Sequence, residues 1–233
     1  MRFTVKICGL SRPSDFETCA DAGADLVGLV YYEPSPRHLT FAQMADLARM
    51  LGWSGRSDAC PLRVGVFVNP SHDDVLRAIE AGCLHYVQIH GSRLDEGLAA
   101  AKSAGVHVIH PVSIAQSVSH EQFRCPVDAA FVLADTALPG QHGGTGQTFD
   151  HSLLMPHLGA HRILLAGGLT PENIAEAVRE LPGLAGCDVS SGVESSRGVK
   201  DPQKIRHFIA QARLGASAAS REAAPVPSGR ANL

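Results

Sequence analysis

Two short apolar runs late in the chain, Ile163-Leu164-Leu165-Ala166 and Cys187-Asp188-Val189-Ser190, lead into glycine: Gly167-Gly168 after the first, Ser191-Gly192 after the second. Glycine lets backbone N–H groups approach an anion, and a phosphate site after the last two strands recurs in (β/α)8 barrels. The pattern therefore predicts a ligand that carries a phosphate. Near the start, Lys6-Ile7-Cys8-Gly9-Leu10 sets a thiol at a strand end. Alternation turns Thr4, Lys6 and Cys8 to one face. A lone cysteine on an apolar strand is ordinarily inert, but the inward Lys6 and the following glycine favour a reactive role. Gln88 and His90 share a face at the end of another run and suit ligand binding. Asp135 ends a further run and opens into the glycine-rich stretch 140–146, where it reads as a general acid or as a cap for the loop.

These groups meet only if strand ends converge. Apolar runs that read as strands lie near Thr4–Ile7, Leu26–Tyr31, Arg63–Phe67, His85–Ile89, Val106–His110, Ala129–Ala134, Arg162–Ala166 and Cys187–Ser190. Helical patterns follow near Pro13–Ala22, Phe41–Leu51, His72–Ala81, Leu94–Ala104, Ile114–Gln122, Ser152–Pro156, Pro171–Glu180 and Pro202–Ala212. Thr170 and Pro171 supply a cap and a first helical residue for the seventh. Glycines 23, 82 and 105 each stand where a helix ends before a strand. Eight βα units predict an α/β fold, a closed (β/α)8 TIM barrel of one domain over residues 1–215, rather than an open sheet. In such a barrel the first and last strands pair, which predicts a buried Lys6–Asp188 ion pair. The Ala, Ser, Pro and Gly bias of residues 216–233 predicts a disordered tail.

Composition narrows the class of function. A chain of 233 residues, 45% hydrophobic, can bury a core of this size. Its net charge of −3, with Lys and Arg interspersed, argues against nucleic acid and against a membrane surface. The first residues lack the pattern of a signal peptide, so a cytoplasmic protein is expected. Six cysteines without a CxxC pair read as free thiols. Twelve histidines include no HExxH, and His107/His110 and His157/His161 lack partners at ligand spacing, so no metal is expected.

Taken together, Lys6 to Leu10, Ser35-Pro36-Arg37, Val66 to Asn69, Val87 to Gly91, Asp135-Thr136, Gly143 to Gly146 with Phe149-Asp150, Leu165 to Leu169 and Asp188 to Glu194 resemble the phosphoribosylanthranilate isomerases of tryptophan biosynthesis. The motifs stand in that family's order over residues 4–201. The resemblance implies an Amadori rearrangement that needs no cofactor, with Cys8 as general base and Asp135 as general acid. Arg37 would hold the anthranilate carboxylate. Gln88, His90, Gly144, Gly167, Gly168, Asp188, Ser191 and Gly192 would complete the site for a phosphosugar, and a monomer is expected. The chain departs from the family pattern at His110, Ala134, His151 and Arg197. Two other readings are a related barrel isomerase of the histidine pathway, which typically uses paired aspartates and two phosphate sites, and a catalytically silent phosphosugar-binding protein. Cys8 with one clear phosphate site argues against the first, and the presence of both Cys8 and Asp135 against the second.

Overall fold

Eight parallel strands close on themselves in the computed structural model, each paired with its sequence neighbour and the last with the first. The structure describes residues 2–53, 61–114, 117–125, 127–136 and 150–222. The strands are β1 (Thr4–Cys8), β2 (Leu26–Tyr31), β3 (Leu62–Val68), β4 (Tyr86–His90), β5 (His107–Ile114), β6 (Ala129–Thr136), β7 (Ile163–Leu165) and β8 (Gly186–Val189). Helices α1 (Pro13–Ala22), α2 (Phe41–Met50), α3 (His72–Gly82), α4 (Asp95–Ala104), α5 (Ile174–Arg179) and α6 (Pro202–Glu222) pack around them. The expected (β/α)8 barrel is the observed fold.

Alternation along each strand splits the core into two layers. Val5, Ile7, Val27, Leu29 and Val87 face the helices, whereas Cys8, Leu26, Val30, Val66 and Leu133 fill the barrel. A slip of one residue in β1 would exchange Lys6 and Cys8 for apolar neighbours, so burial on both sides fixes the register.

That register pairs Lys6 with Asp188 across the β1–β8 seam. Lys6 is fully buried and its Nζ lies 3.0 Å from Asp188 Oδ1, which is the expected ion pair. The distance suits Coulomb attraction, but neither atom has a well-aligned hydrogen bond among the described residues. Charge, more than directional bonding, joins them.

Several elements differ from the sequence expectation. Among the described residues the helix expected at Ile114–Gln122 is absent: β5 continues through Ile114, and a 3-10 turn at His120–Phe123 follows. Val112 and Ile114 are buried in the layer that faces the helices, and β6 pairs with β5 as far as Ile114↔Thr136, so β-sheet pairing overrides the local pattern. The sixth helix is a 3-10 segment, His151–His157, with Pro156 inside it. Gly23 and Gly105 take the left-handed cap, but after α3 that position belongs to Cys83 at φ 48°. Gly82 lies within the helix, where a Cβ would stand 2.9 Å from Leu84 Cδ2. The end of the domain at residue 215 also needs correction, because α6 runs on to Glu222 and buries Ala219. Residues 223–233 of the expected tail lie outside the described residues.

Asp188→Ala would leave the Lys6 ammonium unpaired in the interior. The expected loss is about 3 to 5 kcal/mol in urea unfolding. Replacing both partners together, as Lys6→Met with Asp188→Leu, is expected to cost less than the single change.

Candidate active site

The C-terminal strand ends surround a cleft of about 810 Å³. It is lined by Cys8, Arg37, Gln88, His90, Asp135, Gly167, Gly168, Asp188, Ser191 and Gly192, so every expected site residue except Gly144 meets there. Gly144 and the rest of the glycine-rich loop fall in 137–149, outside the described residues. Among the described residues no group of three or more His, Cys, Asp or Glu is placed to hold a metal.

Cys8 stands at the end of β1 with 8% of its surface exposed. Its space is made by Gly28 on β2, its register partner, where a Cβ would come within 2.7 Å of Cys8 Sγ. Burial pushes the thiol above its ordinary value; Lys6 pulls it down, and Asp188 pushes it up again. The thiol therefore rests protonated. Lys6 stays charged despite burial, because the Asp188 carboxylate favours its ammonium form.

Asp135, near the end of β6, is raised to about 6, first by burial and then by the charge of Asp188. The Thr136 N–H, which donates to Oδ1 at 2.8 Å, opposes the shift. Both readings of Asp135 thus have a physical basis: the carboxyl takes a local backbone N–H and also keeps its proton to unusually high pH. Gln88 Nε2 and His90 Nε2 lie 2.7 Å apart on β4. The buried Gln88 Oε1 has no hydrogen bond among the described residues, which leaves an acceptor for a ligand.

Arg37 reaches the cleft but is already engaged. Its Nε and Nη2 donate to Glu194 Oε1 and Oε2 at 2.6 and 2.8 Å, leaving three of the five guanidinium N–H donors. Lys200 Nζ donates to Glu194 Oε1 at 2.8 Å and to the Ser190 carbonyl at 2.8 Å. Burial would raise Glu194, but the hydrogen bonds from Arg37 and Lys200 outweigh it and hold the carboxyl at about 2. Sequence reasoning missed Gly28, Glu194 and Lys200 as site residues. Glu194 closes the last motif, beyond the end of β8, and that place is its one sequence signal; Lys200 carries no local signal. It arrives on a hairpin, β9 (Glu194–Ser196) and β10 (Val199–Lys200), that the sequence pattern does not announce.

The two glycine endings sit side by side. Gly167 and Gly168 take φ of 87° and 62°, which favour glycine. A Cβ on Gly167 would overlap Thr136, and one on Gly192 would overlap the Leu169 carbonyl. These glycines therefore also have a packing cause: they let the ends of β6, β7 and β8 close up.

Comparison with known proteins places the whole barrel in context. The family model described as "N-(5'phosphoribosyl)anthranilate (PRA) isomerase" matches residues 5–211. An N-(5'-phosphoribosyl)anthranilate isomerase of Thiobacillus denitrificans is 42% identical over 219 residues, covering 91% of this chain and 99% of the relative. The crystal structure of the Thermus thermophilus phosphoribosyl anthranilate isomerase superposes with a TM-score of 0.76 at 30% identity, covering 90% of this chain and 98% of that one. A phosphoribosyl anthranilate isomerase in complex with reduced 1-(o-carboxyphenylamino)-1-deoxyribulose 5-phosphate gives a TM-score of 0.70 at 29% identity, covering 91% and 99%.

The Gly28 notch yields a direct test. Gly28→Ala is expected to push the Cys8 thiol out of place and lower kcat/KM by about 10²-fold, the effect of a misplacement near 1 Å. Steady-state kinetics with a matched thermal melt would separate this from loss of fold.

Proposed function

The chain belongs to the N-(5'-phosphoribosyl)anthranilate isomerase family and isomerises N-(5-phosphoribosyl)anthranilate in tryptophan biosynthesis, and we propose that it does so with Cys8 as general base and Asp135 as general acid. The reaction is an Amadori rearrangement to 1-(2-carboxyphenylamino)-1-deoxyribulose 5-phosphate. The observation that carries the assignment is that one cleft holds a thiol and a carboxyl on different strands, Cys8 on β1 and Asp135 on β6. The same wall carries anion-binding groups.

In this reading Asp135 gives its proton to the ribose ring oxygen as the C1–O bond breaks, leaving a protonated Schiff base with the anthranilate nitrogen. Cys8, as thiolate, takes the proton from C2. The electrons of the C2–H bond form a C1–C2 double bond as the C1–N π electrons move onto nitrogen, and the resulting enolamine tautomerises to the ketone. Solvent exchange then returns a proton to Asp135 and removes one from Cys8, so no proton is gained or lost overall. Backbone N–H groups around Gly167, Gly168, Ser191 and Gly192 receive the phosphate, Arg37 the carboxylate, and Gln88 and His90 the sugar hydroxyls.

Monomeric and cytoplasmic states belong to the same proposal. The large apolar residues exposed among those described, Met50, Met155, Val199 and Leu214, are four and sit on four separate elements. Free thiols at Cys8, Cys19, Cys83, Cys125 and Cys187 suit a reducing compartment.

Removing either catalytic group tests the roles. Cys8→Ala and Asp135→Asn are each expected to lower kcat by about 10² or more with a smaller change in KM; wild-type-like kcat in either would overturn the assignment.

The pH dependence tests the electrostatics. The active form pairs a thiolate with a protonated Asp135, although Asp135 titrates at about 6 and Cys8 above the ordinary thiol range. Between those values the gain in thiolate cancels the loss of protonated Asp135. Profiles of kcat/KM should therefore rise to about pH 6, stay flat, and fall only above the thiol's pKa. A substrate phosphate also titrates near ~6, so the discriminating variant is Asp188→Asn. Loss of that charge lowers both Asp135 and Cys8. Both limbs should then move to lower pH, whereas a limb set by substrate phosphate would stay fixed.

A further inference from the structure

Arg37, Glu194 and Lys200 form a largely buried cluster of two cations and one anion at the rim of the cleft. The side chains of Glu194 and Lys200 are 5% and 1% exposed, and that of Arg37 is 14% exposed. Glu194 is saturated: it accepts from Arg37 twice, from Lys200, and from the Gly198 N–H at 3.0 Å. Its carboxyl, at about 2, stays ionised throughout the working range. The cluster therefore keeps one excess positive charge, in a place where unpaired charge is costly. A ligand carboxylate on the free edge of Arg37 would balance the count at two cations and two anions.

The backbone around the cluster ties it to the reacting centre. Arg37 lies where a side chain on Gly9 would be, since a Cβ there would overlap Arg37 Cδ; Gly9 directly follows Cys8. Lys200 Nζ grips the Ser190 carbonyl, and Ser190 Oγ donates to the Cys8 carbonyl at 3.1 Å. The orientation of Arg37 is thereby set relative to the thiol by a fork on one side and the glycine notch on the other. An arginine stem free to rotate would bind a carboxylate as well, but at no fixed distance from Cys8.

We propose that Glu194, itself charge-balanced by Lys200, is a positioning residue that makes the enzyme selective for a carboxylated aromatic amine: it locks Arg37 in the pose that receives that carboxylate. The inference rests on the assignment of Arg37 to the substrate carboxylate. It goes further by placing the selectivity in a residue that does not itself touch substrate.

The test compares N-(5-phosphoribosyl)anthranilate with N-(5-phosphoribosyl)aniline, which lacks the carboxylate, as substrates of the full-length enzyme. The readout is the ratio of the two kcat/KM values. Glu194→Gln is expected to lower that ratio about tenfold or more, mainly through KM of the carboxylated substrate, consistent with loss of an oriented charge-assisted pair. Glu194→Asp, which keeps the charge and shortens the reach, should fall between Gln and wild type; it also serves if Glu194→Gln fails to fold. An unchanged ratio, or equal losses on both substrates, would overturn the proposal and leave Glu194 a structural residue. Arg37→Ala separates the two layers of the argument. If it leaves the ratio unchanged, the carboxylate assignment itself is wrong; if it collapses the ratio while both Glu194 variants do not, only the positioning role fails.

Discussion

A buried ammonium facing a buried carboxylate across the seam of the barrel sets the electrostatic terms for the cleft above it. Lys6 and Asp188 are register partners on β1 and β8, 3.0 Å apart, and both are at most 8% exposed. Taken singly, each would dominate its surroundings in a medium that screens poorly. A free Lys6 would draw Cys8 toward the thiolate and Asp135 toward the carboxylate. Paired with Asp188, it does so only in part, and the net directions are upward for both groups. The resting site thus holds the acid's proton up to about pH 6, well above a free carboxyl, and the thiol's proton past the ordinary thiol range, although the second step must do without it. Burial beside the neutralised pair favours ring opening at the expense of a standing supply of base.

Glycines at the strand ends convert this electrostatic arrangement into a usable cleft. Gly28 leaves the volume that Cys8 occupies, Gly9 leaves the volume that the Arg37 stem occupies, and Gly167 and Gly192 let the last strands close on their neighbours. Each is a position where a side chain would collide with a functional group or with backbone. Close approach, more than conformational freedom alone, explains why so small a residue recurs around the mouth.

The barrel was legible because its signal is periodic. Apolar runs at regular intervals, separated by helical patterns, survive errors of one or two residues at each end, and alternation within β1 and β8 alone placed Lys6 opposite Asp188. The fifth unit was less legible, because Val112-Ser113-Ile114 reads as strand or helix until its partner β6 is known. The end of α6 was misread since Ala and Ser serve a helix as well as a tail; packing that buries Ala219 decides the matter. In the site, residues next to the glycine endings declared themselves. Glu194 and Lys200 did not, for their importance lies in a contact across the β9–β10 hairpin that forms only in the folded chain.

The most direct measurement is a titration of the unliganded protein in which the Asp135 carboxyl carbon and the Cys8 β-carbon are followed by ¹³C NMR. Asp135 is expected to lose its proton at about pH 6 and Cys8 above the ordinary thiol value. An Asp135 that ionises near ~4 together with a Cys8 that ionises below ~8.5 would contradict the account, because burial beside a Lys6 neutralised by Asp188 would then not be holding either proton to higher pH.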